Sequence, residues 1–81
     1  MTLRPQTLRR ALEESLLAVA PEADLASLRP DRPLREELDL DSFDFLRVLE
    51  QLHTRTGISV PEADYGRLRT LDEALRYLTT R

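Results

Sequence analysis

The 81-residue chain carries 15 acidic and 12 basic side chains, for a net charge of −3, and has no cysteine. This length predicts one domain, residues 1–81, with a core too thin for a deep catalytic pocket. The lack of cysteine excludes disulfides, thiolate metal sites and a cysteine nucleophile, and it fits a reducing cytoplasm. No apolar run approaches the roughly 18 residues of a membrane span. We therefore expect a cytoplasmic protein, with a monomer as the default state.

All 12 basic residues are arginine, and they are spread along the chain. Residues 21–41 form the acidic part, with seven acids and three arginines, whereas residues 42–61 and 62–81 each balance at zero. A protein that binds nucleic acid needs a basic stripe to neutralise phosphates. The sequence has none, so nucleic-acid binding is disfavoured.

Helical periodicity predicts a first helix from about Pro5 to Val19, because proline is tolerated in a first turn and Pro21 marks the end. Its apolar face comprises Leu8, Ala11, Leu12, Leu16 and Val19. Residues 20–41 follow as a long connection that contains three prolines. A loop of about 20 residues is unusual in a compact domain. Its leucines suggest that it packs across the helices: Leu25, Leu28, Leu34, Leu38 and Leu40.

A second main helix is predicted from Ser42 to near Arg55, with Gly57 as the stop signal. Its core stripe has the spacing i, i+3, i+4, i+7: Phe45, Val48, Leu49 and Leu52. We expect Phe45 and Leu49 to be buried and Ser42 to be exposed.

The last third predicts a short helix from Glu62 to about Gly66 and a final helix after Thr70. The segment "ISVP" is β-branched but has no strand to pair with. "TLDE" is a capping box, in which Thr70 and Glu73 would each bond the other's backbone. The final helix repeats the core spacing with Leu71, Ala74, Leu75 and Leu78. The expected fold class is all-α, a four-helix bundle with three main helices, one short helix and a long first loop.

The segment "LDLDSFDFL" raises the question of what Ser42 does. Asp and Ser are favoured N-cap residues, each typically worth about 1 kcal/mol, so capping is one interpretation. A serine nucleophile needs a nearby base. The only histidine, His53, lies 11 positions further along the same helix, about 16 Å away along its axis. No catalytic residue is therefore predicted, and His53 is interpreted as a surface residue.

A metal site is also disfavoured. Asp39, Asp41 and Glu50 fall at positions 1, 3 and 12 of a calcium-binding loop, but Phe43 falls at position 5. Asp44 stands at position 6, where such a loop needs glycine.

The remaining interpretation of Ser42 is a point of attachment. Unpaired N–H groups and the helix dipole at a helix N-terminus stabilise a phosphodiester charge. Phe43 and Leu46 lie off the core stripe beside Ser42, and together they predict a docking patch. The alternative is that Phe43 lies beneath the long loop.

These features resemble the acyl carrier protein family, which includes peptidyl and aminoacyl carriers. The similarity covers most of the chain: D-S-[LMF] opens the second main helix as "DSF", and an I/V-P step precedes the short helix in "GISVPEADYGRLRTLDEALRYL". The resemblance implies that Ser42, beside Asp41, carries 4′-phosphopantetheine. A phosphopantetheinyl transferase with bound magnesium would move this arm from coenzyme A. The arm's thiol would hold an acyl or aminoacyl group as a thioester for successive enzymes.

The chain departs from the family pattern in two ways. Many carriers have glycine three residues before the serine, where this chain has Asp39. Fatty-acid-type carriers have an acidic second helix, whereas this one has about zero charge. Electrostatic matching selects partners. The docking surface, composed of Phe43, Leu46, Arg47 and Glu50, therefore predicts a stand-alone carrier for a dedicated pathway, served by its own acyl- or aminoacyl-loading ligase and downstream transferase or synthase enzymes.

Two alternatives stay open. A carrier-fold interaction module without the phosphopantetheine arm would bind a partner helix or groove through Phe43 and Leu46. Modification of Ser42 separates it from a carrier. Family carriers also sequester acyl chains between helices, and the corresponding residues here are either such a lining or plain core: Phe45, Leu49, Val60, Leu68 and Leu75.

Overall fold

The computed structural model describes residues 4–80, and within them the fold is all-α, as predicted. Four α-helices span Pro5–Val19 (α1), Leu34–Glu37 (α2), Ser42–Thr56 (α3) and Leu71–Thr79 (α4). Two 3₁₀ helices span Leu25–Ser27 and Glu62–Leu68. The predicted bounds of α1 and the predicted starts of α3 and α4 are confirmed. No helix in this part of the chain is long and apolar enough to cross a membrane.

The core lies where α1, α3 and α4 meet, with α1 packed along α3. Val48 and Leu52 are the buried residues of α3. The prediction that Phe45 and Leu49 are buried is wrong, because both are only half-buried at the edge of the core. The contact strip of α3 is narrower than its apolar stripe, and Phe45 faces an open cleft. The α1 and α4 residues in the core are Leu8, Ala11, Leu12, Ser15, Leu16, Leu71, Ala74, Tyr77 and Leu78.

Tyr77 joins the second 3₁₀ helix to α4. Its ring is buried, and its hydroxyl donates a hydrogen bond of 2.7 Å to Asp64 Oδ2. The guanidinium of Arg67 lies 4.8 Å from the centre of the same ring, a cation–π arrangement. The 3₁₀ helix ends with the buried Leu68, two residues beyond the predicted end. This helix is therefore fixed to α4 from both its polar and its apolar side.

The long connection packs across the helices, as its leucines predicted. Leu34 and Leu40 are buried, and the other three leucines are half-buried against the core. Two backbone hydrogen bonds attach it to the start of α4, from Leu34 N to Arg69 O at 2.8 Å and from Asp72 N to Pro30 O at 3.0 Å. The sequence did not predict its two short helices. Each has too few residues to show helical periodicity.

The helix ends follow the expected chemistry with one difference. Gly57 ends α3 with a φ of 75°, and its N–H donates to His53 O. At α4, Thr70 Oγ1 accepts from Glu73 N at 3.0 Å, so the predicted Thr70 half of the box forms. The complete reciprocal pair found within residues 4–80 is instead at the start of α3, between Asp41 and Asp44.

Asp39 has a left-handed backbone conformation, with a φ of 53°. Among residues 4–80 it is the only non-glycine residue with a positive φ. A left-handed conformation costs an L-residue roughly 1–2 kcal/mol, with Asp among the more tolerant types. A glycine at this position, which the resemblance would lead one to expect, adopts such a φ without a steric penalty.

We expect Asp39→Gly to raise the free energy of unfolding by up to about 1 kcal/mol, because glycine adopts positive φ without a steric penalty. Asp39→Ala should lower it by about 1 kcal/mol, because alanine does not tolerate this φ as aspartate does. Urea denaturation followed by circular dichroism measures both changes.

The matched control is Asp31→Gly, which introduces glycine at an exposed residue of the same long connection, on the other side of α2, where φ is not positive. There glycine only adds freedom to the unfolded chain, so the free energy of unfolding should fall by about 0.5–1 kcal/mol. Equal losses for the two glycine variants would show that Asp39 is not strained.

Candidate functional site

The start of α3 is closed by a reciprocal pair of aspartates. Asp44 N donates to Asp41 Oδ1 at 2.8 Å, and Asp41 N donates to Asp44 Oδ2 at 3.3 Å. Asp41 is therefore the N-cap residue, and Ser42 is the first residue inside the helix. The capping interpretation of "DS" thus applies to the aspartate. The serine hydroxyl is not used to satisfy the helix end.

Ser42 is exposed, as predicted, and a basic side chain contacts its hydroxyl. Arg35 Nη2 donates to Ser42 Oγ at 3.1 Å, and Arg35 Nε donates to Leu40 O at 3.5 Å. An exposed hydroxyl beside a guanidinium and a helix N-terminus is suited to carry an anionic ester. Sequence reasoning missed Arg35. Its contact with Ser42, seven residues further along the chain, depends on helix α2, which was not predicted.

A cleft of about 730 Å³ opens beside Ser42, between α2, α3 and the second 3₁₀ helix. Phe45 and Tyr65 form part of its wall, with ring centres 6.2 Å apart in an edge-to-face arrangement. Its other lining residues are Pro33, Arg35, Glu36, Leu40, Leu46, Glu62, Gly66 and Arg69. Of the five residues considered as a possible acyl lining, Phe45 borders this cleft, and Leu68 is plain core. Leu49, Val60 and Leu75 are half-buried against that core.

The surface beside Ser42 is apolar with mixed charges. Phe43 is 77% exposed and Leu46 is 40% exposed, so Phe43 does not lie beneath the long loop. Arg47 and Glu50 are also exposed, and Arg47 Nη1 lies 3.7 Å from Asp44 Oδ1. This ion pair offsets the negative charge of Asp44, two residues after the serine. The four residues predicted for docking thus lie together on one face of α3, within about two helical turns.

His53 is exposed near the other end of α3, as the sequence indicated. Within residues 4–80, no group of three or more histidine, cysteine, aspartate or glutamate side chains is arranged to hold a metal ion. The candidate group that the structure presents at the start of α3 is the hydroxyl of Ser42, with Arg35 as its cationic neighbour.

The comparisons with known proteins agree with this geometry. A family model described as a phosphopantetheine attachment site matches residues 6–78. An acyl carrier protein of Lactobacillus johnsonii is 31% identical over 55 residues, covering 68% of this chain and 69% of that protein. One from Rubrobacter xylanophilus is 27% identical over 55 residues, covering 68% of each. The meromycolate extension acyl carrier protein of Mycobacterium tuberculosis is 24% identical over 53 residues, covering 65% of this chain and 46% of that protein.

The family match covers nearly the whole described chain, and it agrees with the all-α fold and the presented hydroxyl. A carrier with a prosthetic arm is therefore favoured over an unmodified interaction module. The chain belongs to the acyl carrier protein family: it is a carrier rather than an enzyme, and its prosthetic group is a covalently attached 4′-phosphopantetheine.

Proposed function

We propose that the phosphopantetheine arm is attached to Ser42 and that Asp41 supports the attachment by capping α3. The observation that carries this proposal is that the helix cap and the exposed hydroxyl belong to different residues. The Asp41–Asp44 pair satisfies the backbone, which leaves Ser42 Oγ exposed. A hydroxyl already engaged as an N-cap would have to break that bond to react, and such caps are worth about 1 kcal/mol.

The residues present fit the group. In the attachment step, Ser42 Oγ forms a bond to the phosphorus next to the pantetheine of coenzyme A. The phosphoanhydride bond to the nucleotide portion breaks, the nucleotide leaves, and the hydroxyl proton passes to a base on the transferase. The resulting negative charge lies at a helix N-terminus, where backbone N–H groups and the dipole favour it. When bound, the arm supplies a thiol that holds cargo as a thioester.

Incubation with coenzyme A, magnesium and a promiscuous phosphopantetheinyl transferase should add one phosphopantetheinyl unit to the protein. Ser42→Ala should gain nothing, because it lacks the hydroxyl. Intact-protein mass spectrometry measures both. Ser59→Ala is the control, since Ser59 is also exposed but lies outside any helix, and it should be loaded like the parent. A mass gain by Ser42→Ala would contradict attachment at Ser42.

The surface formed by Phe43, Leu46, Arg47 and Glu50 is our proposed docking site for the transferase and the acyl-processing enzymes. Large apolar side chains beside a reactive group mark interaction sites on soluble proteins. Every enzyme that acts on the arm must approach Ser42, and this surface borders that residue on α3. Enzymes that catalyse different reactions on the arm would therefore all contact this surface.

Leu46→Ala should lower kcat/KM for phosphopantetheinyl transfer by about 5-fold or more. Truncating one well-packed interface side chain costs about 1 kcal/mol or more of binding free energy. Leu17→Ala on α1 is a matched control, because Leu17 is 37% exposed against 40% for Leu46. Both substitutions remove a similar amount of the apolar area that is buried on folding, so the melting temperature should change equally. Equal transfer rates for the two variants would contradict docking at Leu46.

The charge of α3 supports a dedicated pathway. Its acidic residues are Asp44 and Glu50, and Arg47 and Arg55 balance them. Partners of an acidic carrier present basic patches, and complementary potentials steer encounter and exclude wrong partners. Our proposal is a carrier of acyl or aminoacyl groups whose own enzymes match a mixed-charge helix, distinct from housekeeping fatty-acid synthesis.

Enzymes of ordinary fatty-acid synthesis should therefore load and elongate acyl groups on the holo-protein more slowly than on an acidic carrier. We expect a deficit of at least about 10-fold in kcat/KM at low salt, which should shrink as salt screens the charges. Arg47→Glu should recover part of it. Rates equal to those of an acidic carrier would rule out the dedicated-pathway proposal while leaving the attachment at Ser42 intact.

A further inference from the structure

Arg35 reaches the reactive hydroxyl from a separate helix. Its Nη2 lies 3.1 Å from Ser42 Oγ, and its Nε lies 3.5 Å from Leu40 O. The guanidinium therefore lies across the loop that connects α2 to α3. Although the side chain is exposed, two of its nitrogens have defined partners.

The backbone that carries Arg35 is fixed on both sides. The preceding residue, Leu34, is buried, and its N–H bonds Arg69 O at 2.8 Å. Arg35 O itself accepts from the N–H of Leu40, another buried residue, at 2.8 Å. A side chain on an anchored backbone loses less freedom when it binds a ligand. Arg35 is thus positioned before any group is attached.

Two carboxylates at the start of α3 partly offset the favourable effect of the helix N-terminus on a negative charge at Ser42. Asp41 precedes the serine, and Asp44 forms its reciprocal hydrogen bonds with Asp41 at the same helix end. Arg47 lies 3.7 Å from Asp44 and compensates that carboxylate. A phosphodiester on Ser42 adds one more negative charge beside Asp41, and Arg35 is the cation already in contact with the atom that would carry it.

We propose that Arg35 binds the phosphodiester formed on Ser42 and thereby connects α2 to the start of α3 in the loaded protein. The proposal rests on the proposed attachment at Ser42. Guanidinium and phosphate form strong charge-assisted hydrogen bonds, which suit the planar donor set of arginine better than lysine. Arg35 acts as a positioning residue: it fixes the first atoms of the arm next to the cleft and offsets the charge of the new phosphodiester.

The proposal predicts that loading stabilises the protein through Arg35. The melting temperature of the parent should rise by about 2–5 °C on loading at low salt, as expected for one exposed charge pair in a domain of this size. In Arg35→Gln the rise should fall to less than half. Because the loaded and unloaded forms of each variant are compared, the contacts that the variant already lacks before loading cancel. The rise in the parent should also shrink at about 0.5 M salt.

Arg69→Gln is the matched control, because Arg69 is an exposed arginine that lines the same cleft. It removes the same charge from the cleft and should keep the full rise. Arg35→Lys should keep only part of it. A second readout is the Nε–Hε resonance of Arg35, assigned by its absence in Arg35→Gln. It should shift on loading by more than that of Arg69.

Intact mass is measured on every sample, so the two proposals fail differently. A parent that gains no phosphopantetheinyl unit would overturn attachment itself, and this inference with it. Full loading with the same rise in the parent and Arg35→Gln would overturn the role of Arg35 alone. An equal loss of the rise in Arg69→Gln would do the same, because it would assign the effect to the overall charge of the cleft.

Discussion

The reciprocal bond between Asp41 and Asp44 is the interaction on which the site depends. It satisfies the backbone N–H groups of Asp41 and Asp44 at the start of α3 with carboxylates and not with the hydroxyl of Ser42. The serine between them can then point outward at the first position of a helix whose other face is held in the core by Val48 and Leu52. Without this pair, the hydroxyl of Ser42 is the next available cap, and the helix end and the proposed attachment of the arm would compete for one oxygen.

Much of the fold could be predicted from the sequence, because the main helices have long apolar stripes with clear stop signals. The start of the first helix, the end of α3 and the start of α4 followed from Pro5, Gly57 and Thr70, whose local chemistry needs no tertiary contact. The failures were tertiary. Phe45 and Leu49 have the right spacing for burial, but helical periodicity does not show how much of a stripe a neighbouring helix covers. Tyr77 was missed as a core residue because its hydroxyl finds Asp64 only after the second 3₁₀ helix folds back.

The same distinction applies to the site. Ser42, Asp41, Phe43 and Leu46 are close in sequence, so one helix turn was enough to predict their exposure and proximity. Arg35 and Tyr65 come from other segments, and their approach to Ser42 depends on how the long loop and the 3₁₀ helix pack. The left-handed residue Asp39 shows the reverse case: the departure from the family's glycine was visible in the sequence, but its backbone reason was visible only in the structure.

The balanced charge of α3 affects the rates at which a carrier associates with its enzymes and dissociates from them. A strongly charged helix draws complementary enzymes together over long distances and raises the rate of encounter. A helix with Asp44 paired to Arg47 has little long-range field, so its complexes form at the unassisted rate of protein association. With the docking site proposed above, discrimination between successive enzymes then depends on dissociation rates, that is, on how long Phe43 and Leu46 stay bound to each partner. A carrier of this kind distinguishes its enzymes by the lifetime of each complex.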